Sequence, residues 1–183
     1  MGIRIHELLR GSCANGPGIR NVVWFQGCTL SCPGCFNPLT HDPAGGKEMS
    51  AEEVCSFLLS PEQPCSGITI SGGEPFQQPE GLLELLQLLN ASRTPPVLVF
   101  TGYPFTVIQQ TQAFSACLPY IDALICGPYR KDRPPAYERF CSSGNQELIL
   151  RSDRFKAEDF ADLPLQEWII DNHGFEMISG IFS

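Results

Sequence analysis

The sequence predicts an α/β protein built on a parallel sheet that closes only in part, an incomplete, laterally open (β/α) barrel. Three observations carry that expectation. Short apolar runs rich in β-forming residues alternate with helical patterns, as in a parallel sheet with crossover helices. Those runs are continuously apolar instead of alternating, as strands covered on both faces are. Four such units, even with the tail, are too few for a full eight-unit barrel.

Taken in order, Val22-Val23-Trp24-Phe25 reads as the first buried strand. Ser50-Ala51-Glu52-Glu53 has the capping-box pattern, a Ser with a Glu three residues on, and opens a helix to about residue 59. Gly67-Ile68-Thr69-Ile70 is the second strand. A helix follows over 79–90, with Glu80, Glu84 and Gln87 as its polar stripe and Leu82, Leu83, Leu85, Leu86 and Leu89 on its buried face. A strand is expected at 97–100, a helix at 106–117 and a fourth strand at 121–125. Beyond Pro128 the pattern is irregular, with strands expected at 147–150 and 167–170. A flavodoxin-like open sheet is the main structural alternative.

Length and composition fit one domain over 1–183, with the motif-bearing core at 15–146 and a tail, 147–183, that completes the partial barrel. Hydrophobic residues make up 43% and charged residues 17%, a globular balance. The net charge of −8 excludes a surface that coats nucleic acid nonspecifically. Arg130, Lys131 and Arg133, with Arg139, form a local basic stretch that reads as a solvated loop, with docking of an acidic partner as the alternative. Near the start, Arg4, His6, Glu7 and Arg10 interrupt any apolar core of a signal peptide. The leucine-rich stretch 82–89 is far too short to span a bilayer. A cytoplasmic location without membrane contact is expected, and there nine cysteines should be thiols, metal ligands or catalysts.

Three of the nine are clustered. Cys28, Cys32 and Cys35 lie in the loop after the first strand with the spacing C-x3-C-x2-C, and Pro33-Gly34 permits the bend between the last two. A structural zinc takes four ligands, as two separated pairs in most such sites, whereas three thiolates on a four-iron cubane leave one iron open for chemistry. His41 would complete a Cys3His zinc site and give a binding module instead of an enzyme. A second motif favours the cluster. Ser71-Gly72-Gly73-Glu74-Pro75 directly follows the second strand, its glycines letting backbone approach a ligand and Glu74 adding a carboxylate. Thr101-Gly102-Tyr103 and Cys126-Gly127-Pro128 follow the third and fourth strands. Ligands of parallel α/β folds bind beyond the carboxyl ends of the strands, so all four loops should share one mouth.

With these motifs the sequence resembles the radical S-adenosylmethionine (SAM) superfamily, and within it the short activating enzymes of the anaerobic ribonucleotide reductase-activating type. The cysteine spacing and Gly72-Gly73-Glu74 carry the superfamily resemblance. Asn15-Gly16-Pro17-Gly18-Ile19-Arg20, Gln26-Gly27, Pro33-Gly34-Cys35-Phe36-Asn37, Thr101-Gly102-Tyr103, Asp122 through Gly127-Pro128, and Gly144-Asn145-Gln146 carry the narrower one. It runs from Asn15 to Gln146. Asn15, Cys126 and Ser142 depart from it, standing where Asp, Asp and Gly are usual.

The resemblance implies a [4Fe–4S] cluster on Cys28, Cys32 and Cys35 whose fourth iron chelates the amino and carboxylate groups of SAM. It implies one-electron cleavage of SAM to methionine and a 5′-deoxyadenosyl radical, which takes hydrogen from a glycine Cα of a partner glycyl-radical enzyme. Anaerobic ribonucleotide reductase is the leading partner, with flavodoxin or ferredoxin as electron donor. Gly72, Gly73 and Glu74 would hold the SAM amino group, Phe36 and Asn37 would pack near its adenosine unless Phe36 belongs to the core, and His173 would reach it from the tail unless its role is structural. A β-branched side chain at Gly73 is expected to weaken SAM binding while leaving iron in place. Cys126 would line the mouth, and so would Tyr103 unless it packs in the core. The competing functions are a radical SAM enzyme for a peptide or small molecule, similar to 7-carboxy-7-deazaguanine synthase, and the zinc adaptor.

Overall fold

The computed structural model describes residues 2–63, 65–92, 95–170 and 176–180. Nine strands and four α-helices occur in it: β1 (Gly2–Ser12), β2 (Arg20–Phe25), β3 (Lys47–Ser50), α1 (Ala51–Leu58), β4 (Gly67–Gly72), α2 (Pro79–Ala91), β5 (Val97–Thr101), α3 (Phe105–Gln110), α4 (Gln112–Ser115), β6 (Ala123–Cys126), β7 (Glu147–Leu150), β8 (Gln166–Ile170) and β9 (Glu176–Gly180). Seven strands form one sheet in the order β3-β1-β2-β4-β5-β6-β7. Its centre, β2-β4-β5-β6, is parallel. The flanking strands β1, β3 and β7 pair antiparallel. Strands β8 and β9 make a separate antiparallel hairpin.

The apolar strands are buried on both faces because alternate side chains enter two different cores. Val97 and Val99 of β5 and Leu124 and Cys126 of β6 face one core, while Leu98, Ala123 and Ile125 face the other. The first core receives the apolar sides of α1 and α2, including Val54, Leu58, Leu82, Leu85 and Leu89, with Ile108 of α3. No α-helix contributes to the second core among the described residues. Irregular chain covers it, through Phe140, Phe155 and Phe160. A doubly wound sheet carries helices on both faces, so this layering departs from the flavodoxin-like alternative. The sheet is a mixed α/β one, mostly parallel at its centre, and β3 and β7 stand at its two edges.

The expected strands at 22–25, 67–70, 97–100, 121–125, 147–150 and 167–170 are present with small shifts at their ends. Helix α1 begins with the expected capping box: Ser50 accepts from the Glu53 amide at 3.2 Å and the Glu53 carboxylate accepts from the Ser50 amide at 2.7 Å. The helix expected over 106–117 is instead two short pieces. Thr111 between them is extended (φ −92°, ψ 113°), and this interrupts the ladder. Strands β1, β3 and β9 were not expected. No helix among the described residues is long and apolar enough to cross a membrane.

Candidate functional site

The loops after β2, β4, β5 and β6 meet at the carboxyl ends of the parallel strands. One cavity there is lined by Cys28, Cys32 and Cys35, by Gly72 and Gly73, by Thr101 and Gly102, and by Gly127. The structure thus brings together the loops that the sequence placed at one mouth. Leu30, His41, Tyr129 and Gln146 also line it. Of these, His41 had been weighed only as a zinc ligand. Leu30 and Tyr129 carry no motif signal and Gln146 enters only through the Gly144-Asn145-Gln146 resemblance, and the fold brings all three to the wall.

The cysteine loop is held at its base by backbone. The Gly27 amide donates to the Thr40 carbonyl at 2.7 Å and the Cys28 amide to the His41 carbonyl at 3.2 Å, zipping the loop's start to its return. Within it, Cys32-Pro33-Gly34-Cys35 closes as a tight turn, the Cys35 amide donating to the Cys32 carbonyl at 3.1 Å and Gly34 adopting φ +75°. A proline second and a positive-φ glycine third are what such a turn requires. The Gln77 side chain clamps Thr29 twice, accepting from its amide at 3.0 Å and donating to its hydroxyl at 2.8 Å.

Gly72 and Gly73 join this loop to the sheet. The Gly73 amide donates to the Phe25 carbonyl at 2.8 Å and the Glu74 amide to the Gly27 carbonyl at 2.9 Å. A Cβ on Gly73 would lie 2.4 Å from the Gly27 carbonyl oxygen, so no side chain fits between the turn and the root of the cysteine loop.

Glu74 is fully buried. Its carboxylate accepts from the Phe76 amide at 3.0 Å, the Thr101 hydroxyl at 2.9 Å and the Gly102 amide at 2.7 Å, which ties the loop after β4 to the loop after β5. Burial pushes its pKa up to about 7 despite those three donors. The native state therefore holds the proton more tightly than the unfolded chain. The stability from this group is present below the unfolded value near 4.5 and is lost as pH rises through about 7. Chemical denaturation should show wild-type stability falling between pH 5 and pH 8 by on the order of 2–3 kcal/mol relative to Glu74→Gln. Parallel pH curves for the two proteins would refute this.

The other candidates separate. Phe36 packs on Tyr129 with ring centroids 4.5 Å apart, beside the cavity wall. Asn37 lines a neighbouring depression with His6, Trp24 and β9. Tyr103 stacks on Phe114 at 5.3 Å and accepts from Gln77, so it packs against the core. Cys126, expected at the mouth, is 2% exposed and faces the helix-side core. Burial pushes its thiol up to about 12. The reason is β6's alternation, which turns residue 126 toward the helices. His173 lies outside the described residues.

The Asn15-to-Arg20 motif lies at the opposite end of the sheet, where Arg20 pairs with Gly67, the first residue of β4. Arg20 is fully buried, and its guanidinium donates to the Thr69 hydroxyl at 3.0 Å and to the carbonyls of Ile68 and Pro96. The Thr69 hydroxyl in turn donates to the Asn15 carbonyl at 2.7 Å. This motif knots the amino ends of the strands and does not reach the cavity.

The donor set suits an iron–sulfur cluster. Burial pushes the Cys28 and Cys35 thiols up, with the Glu74 charge adding to the effect at Cys28. Among the described residues no Lys or Arg lines the cavity to offset that. A cationic iron–sulfide core would supply the compensation bare thiolates lack there. Among the described residues no three His, Cys, Asp or Glu side chains gather around one point as ligands of a single ion do. A cubane takes each thiolate on a different iron.

Residues 14–149 match the family of 4Fe-4S single cluster domains. The chain belongs to that family. It is 42% identical over 106 residues to a pyruvate formate-lyase-activating enzyme of Clostridium pasteurianum, covering 56% of this chain and 44% of that one. It is 28% identical over 150 residues to an anaerobic ribonucleoside-triphosphate reductase-activating protein of Vibrio cholerae, covering 78% of this chain and 95% of that one. A protein of the same name from Haemophilus influenzae is 30% identical over 140 residues, covering 72% and 88%. The chain thus spans under half the length of the first relative and most of the other two. It is a radical SAM protein similar to the short activases, with a [4Fe–4S] cluster and SAM as its cofactors.

Proposed function

We propose that this protein is a glycyl-radical activase in which Cys28, Cys32 and Cys35 each hold one iron of the cluster and leave the fourth for the amino and carboxylate groups of SAM. The observation that carries the reading is the convergence of those three thiols and the Gly72-Gly73 turn on one cavity at the strand ends. When bound, the cluster and SAM supply an electron and a 5′-deoxyadenosyl radical for removing a hydrogen atom from a glycine Cα of the partner.

The chain's own residues bind, orient and enclose. The Gly72-Gly73 backbone forms the wall against which the methionine end of SAM lies. Glu74 acts on it through the fold, by fixing the loops after β4 and β5 to each other. Phe36, seated on Tyr129, offers an apolar face to the adenosine, and Asn37 is assigned to the adenosine from its place beside the third cysteine. His173 remains assigned to SAM on its place after β8. The sheet, with its α-helices on one face among the described residues, is read as the partial, laterally open barrel of one domain over 1–183, which leaves the site accessible from the side.

The partner in this reading is a large glycyl-radical enzyme, with anaerobic ribonucleotide reductase first because relatives matched over 95% and 88% of their length are named for activating it. The higher local identity to a pyruvate formate-lyase-activating enzyme makes that lyase the second partner to try. A flavodoxin or ferredoxin supplies the electron. Arg130 contributes little to steering the partner, because Asp132 pairs with it at 2.8 Å. The reading places the protein in the cytoplasm, where its nine unpaired thiols stay reduced.

The test is anaerobic incubation with SAM, reductant and each candidate partner, followed by electron paramagnetic resonance. A persistent carbon-centred doublet on the reductase is expected. SAM cleavage without a radical on any glycyl-radical enzyme would favour a peptide or small-molecule substrate instead.

A further inference from the structure

Only two buried side-chain polar atoms among the described residues lack a hydrogen-bond partner, Asn145 Oδ1 and His41 Nε2. The second lies on an imidazole that lines the same cavity as Cys28, Cys32 and Cys35. A buried ring nitrogen with no partner carries its full desolvation penalty, so a native protein that keeps one has a partner for it in the complete molecule.

The histidine's backbone is not free to carry the ring elsewhere. Its carbonyl accepts from the Cys28 amide at 3.2 Å and its amide donates to the Pro38 carbonyl at 3.2 Å. The preceding residue, Thr40, is tied by its carbonyl to the Gly27 amide at 2.7 Å and by its hydroxyl to the Asn37 carbonyl at 2.7 Å. The ring is therefore mounted on the segment that pins the first cysteine.

Two of the side-chain acceptors around the cavity are already engaged. Both Glu74 oxygens accept from the fold. The Gln146 carbonyl oxygen accepts from Ser142 and Ser143 at 2.8 and 3.1 Å. What the cavity offers in quantity is sulfur.

We propose that His41 Nε2–H donates a hydrogen bond to a sulfur of the bound cluster and thereby raises its reduction potential. This rests on the assignment of Cys28, Cys32 and Cys35 to the cluster. The physical basis is that added electron density on a cluster resides largely on its sulfurs, and a donor dipole aimed at one stabilises the reduced form. Such a bond also fixes the tautomer, with the proton on Nε2. Direct ligation of iron by Nε2 is the competing arrangement, and it would occupy the position SAM needs.

The experiment uses the reconstituted holoprotein under anaerobic conditions. Iron is counted first in wild type, His41→Phe and His41→Gln, and midpoint potentials are then measured by spectroscopic redox titration. All three proteins are expected to hold about four irons per chain. His41→Phe keeps a planar ring without the donor. At a fixed potential it is expected to lower the ratio of reduced to oxidised cluster about tenfold, which is about 59 mV for one electron. His41→Gln, which retains an N–H, should recover part of that shift.

An unchanged potential in iron-loaded His41→Phe overturns the proposal and leaves the cysteine assignment standing. Loss of iron from a folded His41→Phe also overturns it, in favour of ligation. Absence of iron from the wild type overturns the cysteine assignment itself. If His41→Phe does not fold, pulsed paramagnetic resonance of the reduced wild type labelled with nitrogen-15 histidine decides. A weak nitrogen coupling that survives His6→Gln and His173→Gln supports the hydrogen bond. No coupling, or the strong coupling of an iron-bound nitrogen, overturns it.

Discussion

Alanine at any one of Cys28, Cys32 or Cys35 is expected to lower bound iron and SAM-derived 5′-deoxyadenosine by at least about a hundredfold. Loss of a group that merely orients a metal ligand already costs 10–100-fold in affinity or activity, and loss of the ligand itself costs more. The three thiols share one cavity, and on the proposed assignment removing any one of them takes a ligand from the cluster. Cys55→Ala and Cys65→Ala are the controls. Cys55 is on α1 and Cys65 precedes β4 at the amino ends of the strands, and both pack against the helix-side core. Iron content and 5′-deoxyadenosine after dithionite reduction are the readouts. Wild-type iron and turnover in any loop variant would remove that cysteine from the site.

Valine at Gly72 or Gly73 is expected to do more than block SAM. Gly72 has φ +116°, and a Cβ there would lie 2.2 Å from the Phe25 amide nitrogen. At Gly73 the obstruction is the Gly27 carbonyl, the anchor of the cysteine loop. Neither obstacle is a flexible side chain, so the strand or the loop must move. Backbone strain and overpacking together cost roughly 3–5 kcal/mol at Gly72. Gly73→Val should lose iron along with SAM binding, where the sequence alone leads to the expectation that iron stays. The contrast is Gly102→Ala, whose Cβ is obstructed by the flexible end of the Leu30 side chain, with Glu74 Oε2 at an ordinary 3.5 Å, and which should keep its iron. Thermal unfolding and iron analysis check both points, and a fully loaded, stable Gly73→Val protein would contradict them.

The parallel centre of the fold was legible because its strands are short, apolar and set between helices with clear faces, as in 79–91. The edges were not. In β1, Ile3 and Ile5 are buried and Arg4 and His6 are partly exposed, the alternation of an antiparallel strand. Those same charges had served to dismiss a signal peptide, and the alternation beneath them went unread. β3, Lys47-Glu48-Met49-Ser50, is exposed or half-buried throughout, so only its pairing with β1 defines it.

At the site, the glycines and cysteines were readable because each is tied to a local geometry. Side-chain direction was not. Cys126, expected at the mouth, is turned into the core by its position in β6, and the Glu74 carboxylate is fully buried on Thr101 and Gly102. A fully buried Arg20 is likewise invisible to composition, since its carbonyl partners come from three separate segments.

The most direct test of a three-cysteine cluster with one iron left for SAM is paramagnetic resonance of the reduced, anaerobically prepared protein with and without SAM labelled in its amino nitrogen. The account predicts brown protein with about four irons per chain and a spectrum that changes on adding SAM. It also predicts a nitrogen coupling from the labelled amino group. A colourless protein holding one zinc per chain, or a cluster whose spectrum ignores SAM, would contradict it.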